Sequence, residues 1–367
     1  MQKTVNGSRW QSRHRIGRGV AVMGLTVALT GGLLVQTGIA TAQESGSTPV
    51  AGVDCRTSIL GDQTTSRLVD LSTFLPVTAL VTGMTVPAAT PAASNTAAAA
   101  TPSPATTPKA TPVSGTPTAA ATSSSASTVD DATANELRGL AFAIVNCNSQ
   151  SDVATLTTMV TDTFLAQTYA GGASLSHDDL VAIASVTTVP QQELLAFDNL
   201  QQNGAAISAE VIYTSGNQLL HERWTFVKSA DGSTWLLDTE ETLPALTQKG
   251  ASITSVTIRD NGIKTEPREV EGPDVVIHGK NTDTAEHEML VLRLPEGATT
   301  DILLESAGPN LPDGVDFIGQ MTVPAGGEAL LPLIDLPAGN YVIVDMLLDD
   351  NGTPYLADGL KARLIVK

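Results

Sequence analysis

A run of small residues and prolines between positions 84 and 128 divides this chain into two parts. The run reads MTVPAATPAASNTAAAATPSPATTPKATPVSGTPTAAATSSSAST, and Lys109 is its one charged side chain. Side chains this small, interrupted by proline, bury too little apolar area to offset the entropy lost when a backbone becomes ordered. We therefore expect residues 84–128 to form a disordered linker, with residues 43–83 as a short N-terminal appendage before it.

The N-terminus has the pattern of a secretory signal. A low-polarity stretch over 19–39 ends in the small residues Ala40, Thr41 and Ala42, and five basic residues precede it: Lys3, Arg9, Arg13, Arg15 and Arg18. This order predicts a signal peptide over 1–42, cleaved after Ala42. The alternative is a retained anchor, but Gly, Thr and Gln within the stretch make it a poorer span than about 20 firmly apolar residues. We expect a secreted or extracytoplasmic protein of the cell envelope, without a membrane span after cleavage.

The charge of the chain excludes two classes of partner. The sequence has 20 Lys and Arg against 38 Asp and Glu, and removal of the signal leaves 15 cations and a formal charge of −23. Nucleic acids and anionic membranes are bound through basic patches that release counterions, which such a chain lacks. The partners that we expect are an unknown envelope protein, a polysaccharide or a small molecule.

Two cysteines are present, Cys55 and Cys147. Thiols oxidise outside the cytoplasm, and neither cysteine has a His or Cys cluster beside it that would favour a metal site. We predict a disulfide between them, which would fix the appendage to the domain after the linker. Within the appendage, residues 65–71 have a helical pattern, but the apolar residues are too few for a separate core.

Residues 130–245 have the pattern of an α+β domain. Apolar residues recur at three- and four-residue steps over 134–145, a second helical stretch covers 153–160, and Ser176 followed by Asp179 begins a third helix as a capping box. Strand patterns follow over 206–213, 219–228 and 235–239, and an Asp-Gly turn joins the last two. Helices before an antiparallel sheet predict layers packed against each other.

Two stretches of this domain, LRGLAFAIVNCNSQSDVATLTTMVTDTFL and RWTFVKSADGSTWLLD, resemble the cone-shaped α+β fold of nuclear transport factor two and SnoaL-like polyketide cyclases. The resemblance implies helices packed on a curved sheet around an apolar pocket. Tyr213, Trp224 and Phe226 are the candidates to line that pocket; alternatively they fill it as core. A His221–Glu222 acid–base pair is disfavoured, because neighbours on a strand point to opposite faces.

Residues 251–367 alternate short strand patterns with turns rich in Gly, Pro, Asn and Asp, which predicts an all-β sandwich. The strands are expected over 255–258, 275–278, 288–294, 329–333 and 341–346. The segments VVIHGKNTDTAEHEMLVLRLPEG and VPAGGEALLPLIDLPAGNYVIVDMLLDDNGTPYLADGLKARLIV resemble cupredoxins such as plastocyanin and azurin. The run from Asp349 to Gly352 favours a hairpin turn over a calcium loop, because it lacks the alternating oxygen ligands and final Glu.

The cupredoxin resemblance allows each copper-ligand position to be compared. His287 occupies the upstream His position, whereas Asp345, Tyr355 and Leu360 occupy the positions of the thiolate, the second His and the axial Met. A blue-copper site needs two imidazoles and a thiolate, so we predict a copper-free domain with no metal and no cofactor. His287 is then expected to be a partly exposed polar residue of the framework.

No catalytic residue can be assigned from these patterns. We expect an exported, non-catalytic binding or envelope-associated protein. The alternative is a small-molecule carrier or an enzyme that uses the pocket of the SnoaL-like domain.

Overall fold

A computed structural model describes most of the chain after the predicted linker and a few residues before it: 55–56, 68–69, 73–77, 129–259, 262–305, 311–349 and 351–367. The predicted signal peptide and the predicted linker lie outside the described residues. Among the described residues after 128, four helices are followed by strands up to residue 248, and a second set of strands begins at residue 252.

The helices of the first half each begin at a polar cap. They are α1 (Asp131–Ser149), α2 (Val153–Leu156), α3 (Asp162–Ala170) and α4 (His177–Val186). The side chains of Asp130, Asp152, Thr161 and Ser176 accept a hydrogen bond from a backbone N–H of the first turn, which satisfies a donor that the helix leaves free. The predicted capping box at Ser176 is confirmed, whereas α3 was missed. No helix among the described residues is long and apolar enough to cross a membrane.

Four antiparallel strands form the sheet on which these helices pack. They are β2 (Gln192–Asn203), β3 (Ala206–Ser215), β4 (Gln218–Lys228) and β5 (Trp235–Thr242), after a short β1 (Phe74–Pro76). The order across the sheet is β2-β3-β4-β5. Helix α1 packs on β2 and α3 on β5, so one face of the sheet is covered. The predicted strands are present; β2 was missed because two bulges interrupt its alternation.

The described residues of 251–367 form a β-sandwich. After β6 (Leu246–Gln248), its strands are β7 (Ser252–Arg259), β8 (Gly262–Glu266), β9 (Glu269–Val270), β10 (Val275–Asn281), β11 (His287–Arg293), β12 (Asp316–Val323), β13 (Glu328–Leu333), β14 (Gly339–Val344) and β15 (Lys361–Val366). One sheet has the order β13-β10-β7-β8 and is continuous with β4 of the first half through the pairing of Leu333 with Gln218. The facing sheet has the order β12-β11-β14-β15-β9. Side chains from both sheets share one apolar core. One short helix, α5 (Asp301–Glu305), was not predicted.

The predicted disulfide between Cys55 and Cys147 is confirmed, with Cα atoms 5.1 Å apart across 92 residues of sequence. The appendage is further held by pairing of β1 with β6. The helical prediction for residues 65–71 is wrong where the chain is described: Leu68 and Val69 are not helical, and the Val69 backbone N–H donates to the Leu195 carbonyl oxygen at 2.8 Å. Pairing with β2 thus replaces local helix formation.

The two halves meet at the turn between β3 and β4. Asn217 donates its backbone N–H to the Ile318 carbonyl oxygen at 3.0 Å and accepts from the Ile334 N–H at 2.9 Å. Gly216 has φ 60°, and a Cβ there would lie 2.9 Å from the Phe317 carbonyl oxygen. This turn therefore needs glycine both for its backbone conformation and for the close approach of the sandwich.

Candidate functional site

Two carboxyl groups lie between the sheet and the helices of the first half. Glu222 and Trp224 alternate along β4 and so share the helix-facing side of the sheet, where they are 2% and 1% exposed. Glu240 of β5 lies directly opposite Trp224. Tyr213 of β3 lies beside them, and Tyr169 of α3 faces them from the helical layer. We call these five residues the acid cluster.

The buried part of the acid cluster is held by hydrogen bonds to one oxygen. Glu222 Oε2 accepts from the Tyr213 hydroxyl at 3.1 Å and from Trp224 Nε1 at 2.9 Å. The rings of Tyr213 and Trp224 meet edge to face, with centroids 5.6 Å apart. In the helical layer, the Tyr169 hydroxyl donates to Asn148 Oδ1 at 2.8 Å. Glu222 and the two rings therefore have fixed positions.

The remaining carboxylate oxygens have no such partners. No described residue donates a hydrogen bond to Glu240 or to the second oxygen of Glu222. Glu240 is partly exposed, and its carboxyl oxygens are not among the fully buried polar atoms that lack a partner in the described part of the chain. Buried carboxyl groups are normally paired or hydrogen-bonded, because desolvation of an unpaired charge costs several kcal/mol or more. The acid cluster places two carboxyl groups side by side among aromatic rings, one of them buried, which makes it the candidate functional site.

Burial and mutual repulsion shift the proton affinities of the cluster. Burial, and then the charge of Glu222, raise the pKa of Glu240 well above its usual value. Burial also raises the pKa of Glu222, although the hydrogen bonds from Trp224 and Tyr213 oppose this rise. The pKa values of both tyrosines are raised, first by burial and then by the nearby carboxylates, so both remain neutral donors. Within the cluster, ionisation of both carboxyl groups is disfavoured at neutral pH.

We predict that Glu240→Gln stabilises the α+β half at pH 7. A carboxyl group whose pKa is raised by folding lowers stability as the pH rises from its unfolded value, about 4.3, towards the folded value. One pKa unit corresponds to about 1.4 kcal/mol, so we expect a gain on the order of 1 kcal/mol at pH 7 that disappears at pH 4. Urea unfolding followed by tryptophan fluorescence at both pH values measures this difference.

Glu241→Gln is the matched control for that variant. Glu241 is the next residue of β5, with its side chain 67% exposed and paired with Arg223 Nη1 at 2.8 Å. An exposed pair of this kind contributes at most about 1 kcal/mol, so Glu241→Gln should leave stability nearly unchanged or slightly reduce it. An equal gain for Glu240→Gln at pH 4 and pH 7 would contradict the electrostatic explanation.

The three predicted pocket residues lie in the core of the α+β half. Tyr213, Trp224 and Phe226 are all buried, and the first two belong to the acid cluster. A separate open pocket of about 320 Å³ lies between α1 and the β4–β5 hairpin, and none of the three lines it. Its walls include Leu140, Phe142, Met159 and Trp235, with Arg56 of the appendage at its edge. That Tyr213, Trp224 and Phe226 line a ligand pocket stays a prediction.

His221 and Glu222 do point to opposite faces of β4. His221 Nε2 lies 2.6 Å from Glu210 Oε1 and Nδ1 lies 2.8 Å from the Pro244 carbonyl oxygen, on the face away from the acid cluster. The ring thereby joins β3 to the segment that leads into the sandwich. The acid–base pair that sequence reasoning disfavoured is not formed; instead, Glu222 faces Glu240, a partner that strand alternation alone could not identify.

In the sandwich, His287 lies between two carboxyl groups. Its Nδ1 is 2.6 Å from Asp345 Oδ2 and its Nε2 is 3.0 Å from Asp283 Oδ2. The Tyr355 ring packs edge to face on the imidazole, with centroids 4.7 Å apart. The prediction that His287 is partly exposed is wrong: its side chain is 0% exposed. The flanking carboxyl groups supply hydrogen-bond partners for both ring nitrogens, which makes full burial possible.

These contacts allow a test of whether the site fits copper. The structure brings His287, Asp345 and Tyr355 together, as the ligand positions of the resemblance imply, and it buries Leu360 nearby. The donors nevertheless do not fit a blue-copper centre. These ligand positions hold no thiolate and a single imidazole, that of His287, and both of its nitrogens face carboxyl groups. No group of three or more His, Cys, Asp or Glu side chains in the described part of the chain is arranged to hold a metal ion.

Comparison with known proteins gives structural likenesses only. No family model and no curated protein matches the sequence. Auracyanin from the photosynthetic bacterium Roseiflexus castenholzii is 20% identical over 32% of this chain and 99% of its own, with a TM-score of 0.24. Auracyanin A from Chloroflexus aurantiacus, described as a blue copper protein, is 19% identical over 32% of this chain and 100% of its own, with the same TM-score. Rusticyanin from Thiobacillus ferrooxidans is 15% identical over 33% of this chain and 81% of its own, with a TM-score of 0.23. At these scores the likenesses carry no argument about function.

Proposed function

We propose that this chain is an exported, non-catalytic binding protein whose α+β half takes a small molecule at the acid cluster. The observation that supports the proposal is the partly exposed carboxyl group of Glu240, which lies beside buried Glu222 and Trp224 and receives a hydrogen bond from no described residue. A ligand that donates to this oxygen pair would offset the desolvation of the carboxyl group. The aromatic rings beside it supply apolar contact area, as in most small-molecule sites.

In this proposal the sandwich is a scaffold. Its ligand positions are held by the contacts of His287 with Asp283 and Asp345, which leave no electron-transfer centre to expect. We propose that residues 130–245 are a SnoaL-like cone and residues 251–367 a copper-free cupredoxin-like domain, on the resemblances in their sequences. Export is supported by the basic, apolar and small segments of residues 1–42 and by the buried disulfide.

A second candidate function is acid–base catalysis at the same site. Carboxyl groups whose pKa values are raised toward neutrality can donate or accept protons, and Glu240 has a free oxygen pair for this purpose. The two candidates differ in what happens to the ligand. A binding protein returns its ligand unchanged, whereas an enzyme converts it.

Ligand capture tests the proposal directly. The purified full-length protein is incubated with an extract of small molecules from culture medium, passed through a desalting column and measured by native mass spectrometry. We expect an adduct of constant mass that is lost in Glu240→Gln and kept in Glu241→Gln. A captured molecule whose mass changes with incubation time would favour the enzyme. Retention of only envelope proteins or polysaccharide, with no small-molecule adduct, would contradict the assignment of the site.

A further inference from the structure

The open pocket between α1 and the β4–β5 hairpin is separate from the acid cluster. It has a volume of about 320 Å³, and none of the five residues of the acid cluster lines it. Leu140, Met159 and Trp235 make its walls largely apolar. Small-molecule sites are concave and mostly apolar, begin at about 300 Å³ and carry a few polar groups. The pocket therefore has the size and the lining of a site for a small molecule.

Gly139 leaves the helical side of this pocket open. It lies inside the 19-residue helix α1 and lines the pocket, and a Cβ added there would meet no atom within 4 Å. Glycine inside a helix lowers helix stability relative to alanine, so it usually serves close packing or an unusual backbone conformation. Neither applies at Gly139, because there is room for a side chain and the backbone is helical. A space kept for a ligand accounts for this glycine.

Arg56 is held at the edge of the pocket by its neighbours. The disulfide between Cys55 and Cys147 attaches the preceding residue to α1, and Asn146 Nδ2 donates to the Cys55 carbonyl oxygen at 2.6 Å. Arg56 Nη2 donates to the hydroxyl of Thr158, another residue that lines the pocket. A guanidinium group carries five N–H donors, enough for several partners at once. The appendage thus brings a positioned cation to a pocket that is otherwise formed by residues after the linker.

The charges around the pocket favour an anionic ligand. Besides Arg56, Lys228 lies beside the pocket, with its Nζ 4.3 Å from the centroid of the Trp235 ring in the wall. Glu136 of α1 is the acidic residue in the described lining. Two cations near one carboxylate differ from the chain as a whole, in which 38 acidic residues outnumber 20 basic ones. The excess of positive charge is small, so it suits a ligand with one negative charge.

We propose that this pocket binds a small carboxylate with an apolar body. The carboxylate lies against Arg56, because planar guanidinium and carboxylate groups form paired, charge-assisted hydrogen bonds. The apolar body packs between Leu140 and Trp235. A phosphate is a poorer fit, since Glu136 repels a second negative charge. This site is additional to the acid cluster and does not depend on the function proposed above.

Fluorescence titration of the full-length protein with 4-phenylbutyrate tests this proposal. Trp235 in the pocket wall is partly exposed and should respond to the ligand, whereas Trp224 is 1% exposed in the core. We expect a saturable change in tryptophan fluorescence with 4-phenylbutyrate. The neutral isostere 4-phenylbutanamide should bind about fivefold more weakly, as expected for loss of one exposed ion pair. The cation 4-phenylbutylammonium should bind more weakly than the amide.

Substitutions at the pocket give matched comparisons. Gly139→Leu fills the space beside α1 and should weaken binding of 4-phenylbutyrate at least about tenfold, because an overfilled site costs contacts and strain. Gly139→Ala fills less of the space and should weaken binding by a smaller factor, while it raises helix stability. Ala182→Leu is the control, since Ala182 is an exposed residue of α4 that does not line the pocket. Arg56→Gln should abolish the preference for the acid over the amide, and Arg56→Lys should retain part of it.

The proposal is supported if binding is lost in Gly139→Leu and kept in Ala182→Leu, with a preference for the acid that depends on Arg56. No saturable response to 4-phenylbutyrate, equal affinities for acid and amide in the wild type, or wild-type binding by Gly139→Leu would each overturn it. Loss of binding in Glu240→Gln would move the ligand to the acid cluster and would overturn it as well. Far-UV circular dichroism of each variant shows that it has folded.

Discussion

Replacing His287 by leucine is expected to lower the free energy of unfolding of the sandwich by about 3–5 kcal/mol. The imidazole is the shared partner of Asp283 and Asp345, and Asp345 is itself fully buried. Leucine has a similar size, so the substitution removes the hydrogen bonds of the imidazole while leaving little cavity. Asp345 then keeps only backbone donors, chiefly the Leu347 N–H at 2.9 Å from Oδ1, which are too few for a buried carboxylate.

Tryptophan fluorescence distinguishes this loss from effects on the other half. Trp224 and Trp235 belong to the α+β half, whereas the tyrosines are divided between the halves, with Tyr341 and Tyr355 in the sandwich and Tyr169 and Tyr213 outside it. In His287→Leu, part of the near-UV circular dichroism of the tyrosines should therefore be lost at lower urea concentration than in the wild type, while the transition seen by tryptophan fluorescence changes little. A shift of the tryptophan transition alone would contradict the assignment of the effect to His287.

The double variant His287→Leu/Asp345→Leu measures how much of the loss comes from leaving the Asp345 carboxylate without its imidazole partner. Replacing both members of a buried pair by apolar residues is often neutral or stabilising, since neither charge then has to be desolvated. We expect this variant to recover most of the stability that His287→Leu loses, with Asp283 remaining in contact with water. If the double variant is as unstable as the single one, packing rather than charge explains the loss.

Local patterns predicted much of this fold, because each depends on few neighbours. The cap at Ser176, the stripe of α1 and the Asp-Gly turn before β5 are all short-range features, and each is present. The disulfide followed from the number of cysteines. By contrast, β2 carries bulges that hide its alternation, and α3 is a nine-residue helix that was missed. Irregular strands and short helices are decided by the partners that they pack against.

The acid cluster could not be predicted in full, because it depends on strand pairing. Glu222 and Glu240 are 18 positions apart, and the bulge between Thr225 and Phe226 determines which residue of β5 faces Trp224. A usable signal was nevertheless present: Glu222 shares the alternation of Trp224 and Phe226, so its carboxyl group had to face the core. His287 was misjudged for the same reason, since Asp345 is 58 residues away in sequence.

Removing the disulfide is expected to lower the free energy of unfolding of the α+β half by about 4 kcal/mol, provided that a chain-entropy description of the cross-link applies. The bridge spans 92 residues, and both sulfurs are in the core of this half. Noncovalent contacts also hold residues 55–56: Asn146 Nδ2 donates to the Cys55 carbonyl oxygen at 2.6 Å, and Arg56 contacts Thr158. These contacts cannot replace a covalent link that limits the unfolded chain.

The cross-link can be removed in two ways, by mutation of both cysteines or by reduction, and comparing them tests this prediction. Cys55→Ala/Cys147→Ala removes both sulfurs, whereas a reductant leaves them in place and acts nowhere else, because the chain has no other cysteine. If the cross-link itself stabilises the fold, the reduced wild type and the double variant unfold at similar urea concentrations, well below the oxidised protein, by tryptophan fluorescence. A reduced protein as stable as the oxidised one, beside a destabilised double variant, would assign the effect to packing of the sulfur atoms against α1 and the appendage. Since the cross-link restricts the unfolded state, the urea dependence should also become steeper without it, as a less compact unfolded chain exposes more surface.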